Sequence, residues 1–241
     1  MISDNLQQVH VRIAVACAKA GRPVNDVTLL AVSKTFGADA VQAAFDVGQR
    51  DFGENYIQEA VDKITLLRHL PITWHCIGPI QSNKTRLVAE NFDWVHSIDR
   101  LKIAERLNDQ RPTHLPPLQV CIQVNIDGEA TKSGVAPADV AALVAQVALL
   151  PRLQLRGLMC IPENTTDLVA LNLSFTWARA IFNQINGEKL PISSKINPEV
   201  NFLTLDTLSM GMTADLEAAI ACGSTMVRVG TAIFGVRTKS A

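Results

Sequence analysis

The stretch that decides the fold is "VTLLAVSKTFGADAVQAAFDVG", residues 27–48. Its first part, residues 27–33, is a short apolar and β-branched run typical of a buried strand, and its last part, residues 38–48, has a helical pattern. The turn between them contains Lys34 and lacks the G-x-G-x-x-G fingerprint that follows the first strand of a dinucleotide-binding open sheet. The stretch therefore predicts one strand-then-helix unit without a nucleotide-binding turn.

Seven more units of the same kind follow along the chain. Their strand-like runs are residues 50–53, 72–78, 94–98, 118–126, 155–161, 202–211 and 225–230, each succeeded by a helical pattern. Strands separated by helices pair in parallel through right-handed crossovers. Eight units in 241 residues predict an α/β fold, a single-domain TIM-like (β/α)8 barrel over residues 1–241, with a doubly wound open sheet as the alternative.

The N-terminal segment is predicted to form an extra amphipathic helix that ends at Gly21. Its polar residues are spread along its length, so it lacks the apolar segment of a signal peptide. No later window offers the roughly eighteen uninterrupted apolar residues that a membrane span needs. We therefore expect a cytoplasmic protein, and we interpret residues 186–201 as an elaborated loop within the domain.

Composition narrows the class of partner. The 22 basic and 23 acidic residues nearly cancel, which argues against nucleic-acid and membrane-surface partners and favours a small molecule. The cysteines are odd in number and form no C-x-x-C pair, so neither a disulfide framework nor a metal site is expected. The five predicted free thiols are Cys17, Cys76, Cys121, Cys160 and Cys222.

Lys34 follows an apolar strand directly, at the end of the barrel where active sites lie. A lysine in that position either extends its ammonium group into solvent, or is buried enough to lose its charge and become a nucleophile. A nucleophilic lysine forms Schiff bases with carbonyl compounds. The carbonyl compound is then either the sugar-like substrate of a barrel aldolase or the aldehyde of pyridoxal 5′-phosphate (PLP).

The loops after strands seven and eight are where barrel enzymes commonly bind phosphate. Gly230 and Thr231 stand where strand eight turns into a helix, and Ser209 and Gly211 follow strand seven. Each glycine is also open to interpretation as a helix cap or turn. Arg228, two residues before Gly230, points to the same side of its strand and is placed to meet a pyridine nitrogen; a salt bridge that closes the barrel is the alternative.

Several longer motifs carry a resemblance to a known family. They are "AVSKT" around Lys34, "FGENYIQE" (52–59), "WHCIGPIQSNKTR" (74–86), "VHSID" (95–99), "SMGMTADLEAAI" (209–220) and "VRVGTAIFG" (227–235). With these motifs the whole chain resembles the PLP homeostasis proteins of the YggS and PROSC type, a family similar to the barrel domain of bacterial alanine racemase.

The resemblance implies PLP as cofactor and the fold type III of PLP proteins. It implies a PLP aldimine at Lys34, the pyridine nitrogen at Arg228, phosphate around Ser209, Gly230 and Thr231, and Asn55 near the cofactor ring. Cys76 and Cys160 depart from the family, which usually has Phe and Ala there. Both substitutions stay apolar, so we expect altered packing beneath the ring rather than a different cofactor.

A racemase needs two bases, one on each face of its substrate. In alanine racemase the second base is a tyrosine from another subunit's C-terminal domain, and this chain ends soon after strand eight. We expect Tyr56 to pack or cap a helix and His75 to be a core residue rather than a base.

We therefore predict a PLP-binding protein that buffers the cofactor or delivers it to PLP-dependent apoenzymes. We expect no turnover, no catalytic residue and no metal, and a monomer or weak dimer. A racemase-like PLP enzyme and a Schiff-base aldolase are the alternatives.

Overall fold

A computed structural model describes residues 1–129, 132–188 and 203–236. Its eight parallel strands close into one barrel in chain order, with β8 paired to β1. The strands are β1 (Thr28–Val32), β2 (Asp51–Glu54), β3 (Thr73–Cys76), β4 (Trp94–Ile98), β5 (Leu118–Val124), β6 (Leu153–Cys160), β7 (Thr207–Ser209) and β8 (Met226–Val229). The predicted (β/α)8 barrel is confirmed, and the open sheet is excluded because β1 and β8 share a four-residue register.

Helices follow the strands and pack around the barrel. The α-helices are α1 (Ile2–Lys19), α2 (Ala38–Asp46), α3 (Ile57–Leu66), α4 (Thr85–Asn91), α5 (Leu101–Gln110), α6 (Val140–Val147), α7 (Leu168–Gly187), α8 (Leu216–Ala221) and α9 (Thr231–Phe234). The extra helix α1 packs against α8 and α9 through a buried stripe of Leu6, Val9 and Ile13. It ends close to the predicted position, because Gly21 has a φ of 65° and leaves the helical path.

Apolar side chains fill two separate regions. The larger region lies between the barrel and its helices, where β-strand residues such as Phe52 and Val95 are fully buried. The smaller one is a cluster of Leu30, Val32, Ile77 and Met226 from strands β1 and β8 and from the segment after β3. Because Val32 and Ile77 also line the cavity described below, this cluster forms its apolar floor.

Strand β7 is shorter than the predicted run of residues 202–211. The backbone of Leu205 bonds to the Asn186 side chain, which accepts from the Leu205 N–H at 2.7 Å and donates to its carbonyl at 3.0 Å. Those backbone groups are therefore not available to a neighbouring strand. Asn186 itself lies in α7, so the predicted loop begins later than residue 186; its continuation beyond residue 188 and Phe202 lie outside the described residues.

Two further predictions concern cysteines and membranes. All five cysteines are free; Cys222 is partly exposed and the other four are buried. Within the described ranges no helix is both long and apolar enough to span a bilayer.

Candidate functional site

A cavity of about 280 Å³ opens at the carboxyl ends of the strands, where barrel active sites lie. Its walls include residues from the loops after β1, β2, β6, β7 and β8. Five of the six predicted site residues line it: Lys34, Asn55, Arg228, Gly230 and Thr231. The volume is near the lower end of the range usual for small-molecule sites.

Lys34 sits in a tight turn directly after β1. The turn closes through a hydrogen bond from the Phe36 N–H to the Ser33 carbonyl at 3.1 Å. Thr35, the next residue, has a φ of 69°, an unusual conformation for a β-branched side chain. Its N–H donates to Glu59 Oε1 at 2.7 Å, so a contact from α3 holds this strained residue in place.

A buried cation supports the same turn from below. Lys63 of α3 is 5% exposed and donates to the Ser33 carbonyl at 2.9 Å, to Glu54 Oε1 at 2.8 Å and to Glu59 Oε1 at 2.6 Å. The Ser33 hydroxyl donates to the same Glu54 oxygen at 2.6 Å. Burial raises the pKa of Glu54 above its usual value against the opposing attraction of Lys63. This ion-paired group fixes the backbone that presents Lys34.

Arg228 of β8 is the second cation of the cavity and is almost fully buried. Its Nη1 donates to Ser209 Oγ at 2.8 Å and its Nη2 to the Cys160 carbonyl at 2.9 Å. No ion pair in the described part of the chain includes Arg228, so the predicted alternative of a barrel-closing salt bridge is not found there. Burial lowers the pKa of its guanidinium. A buried cation with neutral partners suits a ligand that brings a hydrogen-bond acceptor or a negative charge.

The structure places Ser209 elsewhere than predicted. Its hydroxyl is fully buried inside the barrel, bonded to Arg228 and, at 2.9 Å, to His96 Nδ1, and it does not line the cavity. Residues 212–214, including Thr213, line the cavity in its place. In this structure the Ser209 hydroxyl therefore contacts Arg228 and His96, and its predicted contact with phosphate stays a prediction.

Gly211, which also follows β7, is required for packing. Its φ is 94°, which favours glycine, and a Cβ there would lie 2.5 Å from the Cβ of Ala219 in α8. Gly230 lies close to the backbone of β1, because a Cβ at this position would be 3.1 Å from the Val32 carbonyl oxygen. The chain after β8 therefore approaches β1 closely enough to place Thr231 at the cavity.

The helix that begins at Thr231 is a single turn. Such a short helix has little macrodipole, so an anion at this end would be held by individual N–H groups and the Thr231 hydroxyl. Asn55 also lines the cavity, and its Oδ1 is buried and has no hydrogen-bond partner in the described structure. The cavity thus offers an amine, a guanidinium, a hydroxyl and an unpaired acceptor, a set that fits the aldehyde, ring nitrogen and phosphate of PLP.

The remaining candidates lie outside this cavity. Tyr56 is 53% exposed before α3, and His75 is fully buried, as a core residue is expected to be. Cys76 and Cys160 are buried, and desolvation raises the pKa of each thiol to about 12. Neither cysteine lines the cavity, so both are inert apolar packing groups at neutral pH.

The supporting residues Glu54, Glu59, Lys63 and His96 were not singled out as support by sequence reasoning. The sequence signal closest to them is the motif "FGENYIQE", which contains both glutamates. The cavity residue Thr213 also lies within a quoted motif, four residues after Ser209. The motifs therefore identified the segments that contribute to the site, but not the role of each side chain in them.

Comparison with known proteins begins with the family model "Alanine racemase, N-terminal domain", which matches residues 5–238. Fold and match together define the class of the protein as a barrel of the alanine racemase N-terminal type. The Pyridoxal phosphate homeostasis protein of Pseudomonas aeruginosa is 54% identical over 98% of this chain and 96% of its own length. That of Escherichia coli is 53% identical over 99% and 98%. The chain therefore belongs to the family of pyridoxal phosphate homeostasis proteins, as its motifs predict.

Solved structures share the fold of this chain. PipY of Synechococcus elongatus, in its structure with PLP bound, is 34% identical with a TM-score of 0.77, covering 98% of this chain and 100% of PipY. A protein from Bifidobacterium adolescentis is 35% identical with a TM-score of 0.87, covering 97% and 94%. Alanine racemase of Corynebacterium glutamicum is 16% identical with a TM-score of 0.65, covering 98% of this chain and 61% of the racemase, and shares the fold.

Proposed function

We propose that this protein binds PLP covalently through Lys34 and acts in PLP homeostasis, buffering the cofactor or delivering it to apoenzymes without turnover of its own. The observation that carries the proposal is that Lys34 and Arg228 line the same small cavity. The names of the relatives and the PLP-bound state of PipY support it. We also propose a single domain over residues 1–241, working in the cytoplasm as a monomer or weak dimer.

Each lining residue has a role in this proposal. When bound, PLP supplies an aldehyde that condenses with a primary amine. Lys34 would provide that amine, and Arg228 would donate to the ring nitrogen and keep it unprotonated, which weakens the ring as an electron sink. Thr231 and the backbone after Gly230 would hold the phosphate. Asn55 would lie beside the ring, where its unpaired Oδ1 meets a donor.

The proposal of no turnover rests on the ionisable groups that line the cavity in the described structure, which are the two cations Lys34 and Arg228. Racemisation needs a second base on the opposite face of the substrate. Tyr56 is exposed outside the cavity, and His75 is enclosed in the barrel interior. An unprotonated ring nitrogen further disfavours removal of an α-proton.

The test is to load the protein with PLP and mix it with a PLP-dependent apoenzyme, following the apoenzyme's activity, and separately to incubate it with D- and L-amino acids. We expect transfer of PLP and no racemisation or decarboxylation. Lys34→Ala should lose covalently held PLP, whereas Lys84→Ala, a partly exposed lysine away from the cavity, should behave as the parent. Sustained amino-acid turnover that disappears in Lys34→Ala would establish an enzyme instead.

A further inference from the structure

A continuous row of hydrogen bonds crosses the interior of the barrel and ends at the cavity. Asp51 Oδ1 lies 3.2 Å from His75 Nε2, and His75 Nδ1 lies 3.0 Å from His96 Nε2. His96 Nδ1 lies 2.9 Å from Ser209 Oγ, which accepts from Arg228 Nη1 at 2.8 Å. We call these five residues the interior chain.

The interior chain joins opposite ends of the barrel. Asp51 is the first residue of β2 and its side chain is 30% exposed, whereas His75, His96 and Ser209 are fully buried. Arg228 is 4% exposed and lines the cavity at the other end. Within the described residues, the side-chain hydrogen bonds of these three buried members therefore go to one another and to the two end residues.

Only one direction of donation satisfies every member. Arg228 has no acceptor atom, so it must donate to Ser209. The Ser209 hydroxyl then donates its proton to His96 Nδ1, which makes His96 a donor through Nε2 to His75 Nδ1. His75 in turn donates through Nε2 to the Asp51 carboxylate, which only accepts. Both imidazoles are thereby neutral and protonated on Nε2.

The reverse direction leaves groups unpaired. If His96 donated to Ser209, the serine oxygen would accept from both neighbours and its buried proton would have no acceptor. His75 would then have to carry two protons to serve both His96 and Asp51, placing a charge in the barrel interior. Burial of an unsatisfied polar group is unfavourable, and burial of an added charge is more so.

We propose that Ser209 and His96 are positioning residues of the cofactor site: the interior chain fixes the Arg228 guanidinium in the plane in which it meets the ring nitrogen. This inference rests on the proposed PLP binding. It assigns to Ser209 a role through Arg228 in place of phosphate contact. The Cys160 carbonyl anchors the other side of the guanidinium, so two of its five N–H groups are used and three remain for the cavity.

The first test uses the protein without PLP, so it does not depend on the proposed function. Nitrogen-15 NMR of the imidazole rings, with His75→Gln and His96→Gln for assignment, reports which ring nitrogen carries the proton. We expect His75 and His96 both to be neutral and protonated on Nε2 near pH 7. A proton on His96 Nδ1, or a doubly protonated His75, would overturn the proposal.

The second test measures PLP dissociation constants and the absorption band of bound PLP in single and double variants. Ser209→Ala should weaken PLP binding roughly tenfold and shift the band, because a bond to a charged group is lost. In an Arg228→Gln background, Ser209→Ala should change the PLP dissociation constant by less than about twofold, because the guanidinium that Ser209 positions is absent.

Ser224→Ala is the matched control, because Ser224 is equally buried beside β7 and β8, and among the described residues its hydroxyl donates to backbone carbonyls alone. We expect it to change thermal stability without moving the band. Equal effects of Ser209→Ala in both backgrounds would contradict the positioning role. If the parent protein did not bind PLP at all, the proposed function would be refuted. The NMR experiment would still report the direction of the hydrogen bonds in the interior chain.

Discussion

The two cations of the cavity are held by opposite kinds of support. The Lys34 support consists of Ser33, Glu54, Glu59 and Lys63, and it contains three charged side chains, of which Glu54 and Lys63 are buried. The Arg228 support consists of Ser209, His96, His75 and Asp51, and its buried members are neutral. Removing one ion from a charged support leaves its buried partner unpaired. A neutral chain depends instead on which atom of each hydrogen bond donates the proton.

The largest expected effect comes from breaking the charged support. Lys63→Met removes a buried cation and leaves the Glu54 carboxyl without its ion-pair partner, which typically costs about 3–5 kcal/mol. Urea denaturation should show this loss in the free energy of unfolding, whereas Lys102→Met on an exposed helix face should change it by less than about 0.5 kcal/mol. A loss below about 1 kcal/mol in Lys63→Met would mean that the buried ion pairs do not hold the turn.

A second effect concerns the part of the cavity at Thr231, where the phosphate would bind. PLP should bind more tightly than pyridoxal, because each charge-assisted hydrogen bond to phosphate is worth about 1.5–3 kcal/mol. Thr231→Val should narrow the ratio of the two dissociation constants by removing one donor, while its effect on pyridoxal binding stays small. Isothermal titration of both ligands measures the ratio. Equal affinities in the parent protein would rule out a phosphate site beside Thr231.

The neutral support predicts loss of stability in acid. Burial and the nearby His75 hold the pKa of His96 well below its usual 6.5, so the unfolded chain binds a proton that the folded protein does not. The free energy of unfolding should then fall as pH drops below 6.5, by up to about 1.4 kcal/mol per pH unit from this residue. His96→Gln should remove that part of the slope, and exposed His114→Gln should leave it unchanged. Identical slopes in the parent and His96→Gln would show that His96 titrates normally.

The charged support predicts a pH dependence of opposite sign. Burial raises the pKa of Glu54 in the folded protein, so its contribution to stability is complete below the unfolded value of about 4.5 and is lost as pH rises through the folded value. Glu54→Gln keeps oxygen and hydrogen-bonding capacity but cannot ionise. The free energy of unfolding of Glu54→Gln, measured in urea from pH 5 to 8, should increase relative to that of the parent as pH rises. Glu90→Gln on the surface is the control, and a constant difference between Glu54→Gln and parent would contradict the assignment.

The sequence was sufficient to predict the barrel and most of the cavity, for a physical reason. Strand runs separated by helices leave only parallel pairing, and the carboxyl ends of parallel strands meet at one mouth. Lys34, Arg228 and Thr231 could therefore be placed together from their positions after β1 and around β8. The side of a strand to which Ser209 points could not be predicted, because β7 is only three residues long and pairs with β8 at one position.

The contacts of the two supports could not be predicted from the sequence, for a different reason in each case. Glu59 and Lys63 are four residues apart in a helix, a spacing typical of a solvent-exposed ion pair, and only the fold brings Lys63 against the Ser33 carbonyl. His75 and His96 stand on adjacent strands 21 residues apart in sequence, so their contact depends on the register of β3 and β4. In both supports the contacts that join one strand or helix to another depend on the fold, and no local sequence pattern encodes them.

The measurement that tests the central claim most directly is borohydride reduction of the PLP-loaded protein followed by tryptic peptide mapping. Reduction makes the Lys34–PLP bond permanent and blocks cleavage after Lys34, so we expect the adduct on a peptide of residues 20–50, in which Arg22 resists trypsin because Pro23 follows it. Lys34→Ala should lose this adduct. An adduct mainly on another lysine, or an equal yield in Lys34→Ala, would contradict the assignment of Lys34 as the residue that holds PLP.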